Sequence, residues 1–278
     1  MIGLSQYHSE MMTEDGFTLP LPFTVIEAKS KHAKGVIMYF HGGGLIFGSP
    51  DDLPQNYIDL LTQDFHLVLA SYRLAPESNI NTIISDALLQ YDATKQRYPS
   101  LPLFTFGRSA GAFLAMIVAT HRQVDGIVDF YGYCRVHVPS FLRPNSRYQA
   151  LSSKITPEIL NQLIQQQPLT SGPMQARYPI YIHARGEAKW LDYLGIQTST
   201  QSDYNISPQQ LNQFSPTFIV HCINDPDVPY SESEYIYQNV KNCHMETLED
   251  NQHDFDRTVN ETSINLYKKV VHFLNQLI

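Results

Sequence analysis

Gly107-Arg108-Ser109-Ala110-Gly111 sets a serine between two glycines in the pattern G-x-S-x-G. The apolar run Leu103–Phe106 ends just before it, and the apolar stretch Ala110–Ala119 begins inside it. A serine on so tight a strand-to-helix turn has a strained backbone. It needs small neighbours, because strand and helix pass close together there. Its hydroxyl is lifted above the sheet edge, and the backbone amide of Ala110 points at the same spot. The helix N-terminus adds partial positive charge. These features suit nucleophilic attack by a hydroxyl with a developing oxyanion held by backbone donors. The competing reading is a Gly/Ser turn with no chemistry.

His41-Gly42-Gly43-Gly44 follows the apolar run Val36–Phe40. Three successive glycines leave their amides uncovered and free to converge, as an oxyanion hole requires. A phosphate-cradling Walker loop would end in Gly-Lys-Ser/Thr, and Gly48-Ser49-Pro50 does not.

The elements that must position these groups read as alternating strands and helices. Phe23–Ala28, Val36–Phe40, Leu67–Ala70, Leu103–Phe106, Gly126–Tyr131 and Phe218–His221 are short, mostly apolar runs, as expected of strands covered on both faces. Met245–Leu248 and an edge strand over Tyr7–Glu14 are weaker candidates. Ile80, Ile83, Ile84, Ala87, Leu88 and Tyr91 recur at helical spacing, as do Ile264, Tyr267, Val270, Val271, Leu274 and Ile278. Ala110–Ala119 is apolar all round and too short to span a bilayer, which predicts a helix buried in the core. The alternation predicts a doubly wound α/β sheet with right-handed crossovers. About eighty residues between Tyr133 and Thr217 break the rhythm. Thr156-Pro157 and Ser207-Pro208 are helix-start signals within them, so a mostly helical insertion over one end of the sheet is expected.

Composition bounds the function. The 278 residues suit one domain, 1–278, with 43% apolar and 17% charged side chains. The net charge of −8 argues against a nucleic-acid or anionic-membrane partner. Cys134, Cys222 and Cys243 are odd in number and lack metal-ligand spacing, so neither a disulfide framework nor a metal site is expected. The sequence starts without a basic segment leading into an apolar one, and no apolar run approaches a membrane span. The expectation is a cytoplasmic protein.

HGGG, then Ser71-Tyr72-Arg73-Leu74-Ala75-Pro76-Glu77, then GRSAG resembles the hormone-sensitive-lipase-like carboxylesterases of the α/β-hydrolase fold, in order and spacing, over roughly residues 20 to 278. The resemblance implies a mostly parallel eight-stranded sheet, a lid (here 134–215), and a Ser–acid–His triad in that chain order. Ser109 is then the nucleophile. Asp225, after FIVH in a string similar to the family's D-x-x-V-P, is the acid, with Asp227 as its rival. His253, in Asn251-Gln252-His253-Asp254-Phe255, is the base; His244 precedes the last strand and His272 lies in the final helix. The amides of Gly43, Gly44 and Ala110 form the oxyanion hole, and no cofactor is required.

The other residues take blander readings. His121, His137, His183 and His221 are read as structural or surface residues, and His41 as a shaper of the oxyanion loop. Cys222 is read as a small apolar filler on its strand. Arg73 and Glu77 are expected to make structural polar contacts. Trp190 and the tyrosines of Tyr178–Tyr193 line the substrate pocket or form the insertion's own core. Arg108 departs from the family, which usually has an acidic residue there. It pairs with a carboxylate of the lid or substrate, or belongs to a buried structural pair.

The expected activity is hydrolysis of small soluble esters. Mean hydropathy of −0.24 and an insertion rich in Gln, Ser and Tyr argue against an interfacial lipase. The same triad would serve an amide-bond hydrolase of peptidase or arylformamidase type. A ligand-binding member of the fold without catalysis is the third alternative.

Overall fold

The computed structural model describes residues 4–12 and 18–278. Eight strands, β1 (Leu4–Met12), β2 (Thr18–Ile26), β3 (Gly35–Phe40), β4 (Phe65–Ala70), β5 (Leu103–Arg108), β6 (Gly126–Phe130), β7 (Thr217–Cys222) and β8 (Cys243–Leu248), form one sheet in the order β1-β2-β4-β3-β5-β6-β7-β8. Pairings β1–β2 and β2–β4 are antiparallel, and the rest are parallel. The predicted doubly wound, mostly parallel eight-stranded sheet is thus present. The strand expected over Tyr7–Glu14 starts earlier, at Leu4; residues 13 and 14 lie outside the described residues.

Helices α1 (Gln55–Leu61), α2 (Ile80–Arg97) and α3 (Ala110–His121) fall between the strands up to β6. The segment between β6 and β7 carries α4 (Ser146–Ser152), α5 (Pro157–Leu163), α6 (Met174–Gly186), α7 (Trp190–Tyr193), a 3₁₀ turn at Thr198–Tyr204, and α8 (Pro208–Leu211). Then come α9 (Ser231–Asn239) and α10 (Glu261–Asn275). The start signals read from sequence operate. The Thr156 and Ser207 side chains accept from Ile159 and Gln210 amides, and each is followed by Pro at the first helical position.

The central strands are apolar on both faces because both faces are covered. Val36, Met38 and Phe40 join one core, with Ile80, Ile83 and Ala87 of α2 and most of α3. Ile37 and Tyr39 join the other, with Tyr57 and Leu61 of α1 and Tyr267, Val270 and Leu274 of α10. Nine of the twelve residues of α3 are buried, which explains its all-round apolarity. β4 lies on one side of β3 and β5 on the other, so the chain winds both ways from β3. At such a reversal the loops leaving the two strands part and leave a crevice at their carboxyl ends. His41–Gly44 follows β3 and Ser109 follows β5, so both motifs flank that crevice.

The segment between β6 and β7 is tied to the loops of this end. Arg177 Nε donates to the Ile46 carbonyl at 2.6 Å, and its Nη2 to the Ala75 carbonyl at 2.7 Å. Its guanidinium also pairs with Glu77, with contacts of 2.8 and 2.6 Å. Gly48 and Gly172 exchange two backbone hydrogen bonds.

Candidate active site

Ser109 takes φ 53° and ψ −121°, a strained conformation for a residue with a side chain. The crowding around it requires its glycines. A Cβ on Gly107 would lie 2.2 Å from backbone atoms of Gly111 and Ala112. One on Gly111 would lie 2.2 Å from the Phe40 carbonyl oxygen. The Ser109 amide donates to the Phe130 carbonyl at 2.8 Å, which fixes the turn against β6.

Three residues from separate loops converge on the hydroxyl. Ser109 Oγ is 2.9 Å from His253 Nε2, and His253 Nδ1 is 2.7 Å from Asp225 Oδ2. The Asp225 side chain is fully buried, and its Oδ1 accepts from the amides of Asp227 and Val228 at 2.8 and 3.0 Å. Burial pushes the Asp225 carboxyl up, but the His253 charge and the bonds from His221 and His253 outweigh this and hold it far below the carboxylate range. Burial pushes the His253 imidazolium down; Asp225 beside it more than compensates, and the imidazole titrates above its ordinary value. The rival, Asp227, is elsewhere: its Oδ2 accepts from the Tyr148 and Tyr181 hydroxyls at 3.0 and 2.8 Å, and Arg185 lies 3.3 Å from its Oδ1. Of the remaining histidines weighed for the base, exposed His244 pairs with Glu246 and His272 is exposed on α10.

The glycine loop has its carbonyls engaged. Gly43 O accepts from the Ile46 and Phe47 amides, Gly44 O from Trp190 Nε1 at 2.9 Å, and Leu45 O from the Ala75 amide at 2.7 Å. The amides of Gly43, Gly44 and Ala110 have no hydrogen-bond partner among the described residues. Gly43 has φ +103°, and a Cβ there would lie 1.9 Å from the Phe47 carbonyl oxygen. His41 is fully buried and stacks on Tyr72 at 4.3 Å, and burial pushes its imidazole below its ordinary value, consistent with shaping the loop.

A cleft of about 100 Å³ lies over these groups, lined by Ser109, His253, the glycine loop and the rings of Phe47, Tyr178 and Tyr181. The tyrosine-rich stretch therefore divides. Tyr178 and Tyr181 face the cleft, whereas Trp190 packs with Tyr133 and Phe141 inside the segment between β6 and β7. Arg73 is bidentate to Asp86, and Glu77 to Arg177, as structural contacts. Arg108 is a member of a buried pair. Its Nη2 donates to Asp52 Oδ2 at 2.6 Å and its Nη1 to Asp256 Oδ2 at 3.2 Å. The sequence reading missed two things here: these partners of Arg108, and the contact of His221 Nε2 with Asp225 Oδ2 at 3.1 Å.

Sheet order, elbow and loop together define an α/β-hydrolase. The chain belongs to the alpha/beta hydrolase fold family, whose model matches residues 37–257, in the hormone-sensitive-lipase-like carboxylesterase branch. A solved structure of a protein of unknown function from Staphylococcus aureus subsp. aureus Mu50 is 42% identical, with 98% of this chain and 99% of that chain covered and a TM-score of 0.93. An alpha/beta hydrolase superfamily protein from Enterococcus faecalis is 20% identical over 97% of this chain and 99% of that one, with a TM-score of 0.80, and shares the fold. The versiconal hemiacetal acetate esterase of Emericella nidulans is 27% identical over 130 residues, 41% of this chain; the match spans less than half, 45%, of that protein. Among the described residues no helix is long and apolar enough to cross a membrane.

Proposed function

We propose that this protein is a serine carboxylesterase acting on small esters through an acyl-enzyme. The observation that carries the reading is the hydrogen-bonded line from Ser109 Oγ through the His253 ring to Asp225 Oδ2, at 2.9 and 2.7 Å. Ser109 attacks the ester carbonyl as His253 Nε2 takes its proton. Asp225 holds the tautomer with Nδ1–H and stabilises the imidazolium. The amides of Gly43, Gly44 and Ala110 receive the oxyanion, each worth about 10²–10³ in rate. His253 returns the proton to the departing alcohol, and water then releases the acid by the same steps. Residues 134–215 serve as the lid, and Tyr178 and Tyr181 form its wall over the site. The cleft of about 100 Å³ suits a short acyl group, and the Emericella relative is named for an acetate ester.

Ser109→Ala tests the reading. Turnover of p-nitrophenyl acetate and butyrate is expected to fall by at least about 10⁴-fold, and covalent labelling by a fluorophosphonate to vanish. Near-wild-type activity in the variant would remove Ser109 from the mechanism.

A further inference from the structure

Asp225 is held by more than a triad needs. Its Oδ2 meets two imidazoles, His253 Nδ1 at 2.7 Å and His221 Nε2 at 3.1 Å, while two amides occupy Oδ1. His221 is fully buried at the end of β7. The proton on its ring is placed by its neighbours. Nε2 faces Asp225 Oδ2 and also the Val228 carbonyl oxygen at 3.2 Å, and both are acceptors, so Nε2 carries the hydrogen. Nδ1 lies 2.6 Å from Ser233 Oγ on α9, whose hydroxyl donates to it. Ser233 is itself fully buried, so the pair is sealed from water.

We propose that His221 is a positioning residue for the hydrolytic reaction, donating Nε2–H to Asp225 so that one orientation of the carboxylate is presented to His253. The proposal rests on the Ser109–His253–Asp225 reading. It has an electrostatic corollary. A second N–H on Oδ2 draws off part of the negative charge that His253 feels, so it moderates the basicity of His253. The charged and titratable groups facing His221 are Asp225, Asp129 of β6, Glu232 of α9 (paired with Arg135) and the Tyr230 ring. Those facing His253 are Asp225, Asp227, Asp254, the Ser109 hydroxyl and the Tyr131 ring. Among the described residues only Asp225 touches both imidazoles. The His221→Leu change therefore reaches His253 through that carboxylate.

The test compares His221→Leu and His221→Gln with wild type on p-nitrophenyl acetate, reading kcat, KM and the pH dependence of kcat/KM. Glutamine extends an N–H to about the position of Nε2; leucine has none. For His221→Leu, kcat is expected to fall roughly ten- to a hundredfold, the span of a lost hydrogen bond to a charged group, with KM little changed. The acid limb of kcat/KM should move to higher pH. His221→Gln should recover most of kcat and return the limb. Wild-type kcat and limb in His221→Leu, or a folded His221→Gln as impaired as the leucine variant, overturns the proposal. If His221→Leu does not fold, His221→Met decides. It too removes the N–H that meets Asp225, so a limb moved to higher pH supports the proposal and a wild-type profile overturns it. An inactive Ser109→Ala beside an unaffected His221→Leu sinks this inference alone, whereas an active Ser109→Ala sinks the triad and this inference with it.

Discussion

Arg108 Nη1 lies 3.2 Å from Asp256 Oδ2, so the residue before the candidate nucleophile is bonded to the residue three places after the candidate base. Asp256 is fully buried and also accepts from the Tyr131 and Tyr267 hydroxyls at 2.6 and 2.7 Å. The end of β5 and the loop after β8 thus share one buried ionic contact, which ties the strand leading into Ser109 to the loop that carries His253.

Arg108→Met should be strongly destabilising, because it leaves Asp256 buried without its cation. Breaking one side of such a pair costs about 3–5 kcal/mol. Urea unfolding measures this, and kcat should fall as the His253 loop loses its anchor. A variant with wild-type midpoint and turnover would refute the anchoring role.

The pH profile follows from His253, whose imidazole is held above its ordinary value by Asp225. The proposed general-base role needs the neutral ring, so kcat/KM should rise with pH and reach half its maximum above pH ~6.5. Asp225 is depressed and stays ionised throughout, so no second acid limb should appear. Linkage works in the opposite sense for stability. The raised imidazole contributes most below pH ~6.5, and that contribution is lost as pH rises through its folded value. A kcat/KM titration with its midpoint well below 6.5 would contradict this.

Asp129 offers a separate test of linkage. Burial pushes its carboxyl up to about 6, against the lowering effect of the Gly132 amide, and its Oδ2 has no partner. The unfolded chain ionises near pH ~3.9, so a penalty builds between there and about 6 and is complete above. Asp129→Asn keeps the oxygen that accepts from Gly132 at 2.8 Å and removes the charge. It should stabilise the protein at pH 7.5 by on the order of 2 kcal/mol and change little near pH 4. Equal urea midpoints for variant and wild type at both pH values would refute the penalty.

Acyl length should be limited by the cleft of about 100 Å³ under Tyr178 and Tyr181. Acetyl and butyryl p-nitrophenyl esters are expected to react fastest and octanoyl at least tenfold more slowly, as overpacking of a small pocket predicts. A rate rising steadily to octanoate would mean that the wall formed by the two tyrosines yields.

The two glycine motifs of the candidate site were legible because their backbone is constrained by residue type. Gly42, Gly43, Gly107 and Gly111 stand where a Cβ would strike backbone, so the letters carry the geometry. The central strands were legible for a similar reason, since two-sided burial leaves a continuous apolar run. Asp225 was separable from Asp227 only by resemblance; the physical difference lies in partners, Tyr148, Tyr181 and Arg185 for Asp227, that come from the segment between β6 and β7. Arg108 was illegible because Asp52 and Asp256 lie 56 and 148 residues away. His221 looked ordinary because its contact with Asp225 depends on how the chain turns after β7. Helices α1 and α9 gave no distinct signal: they are short, and each buries only three residues.

The loop of bare amides is braced from above. Trp190 grips the Gly44 carbonyl and Arg177 grips that of Ile46, and both belong to the segment between β6 and β7 that also brings Tyr178 and Tyr181 to the cleft. Redesign of that segment for bulkier substrates therefore has two fixed points. A chimera that discards Trp190 and Arg177 keeps Ser109 but loosens the glycine loop beside it.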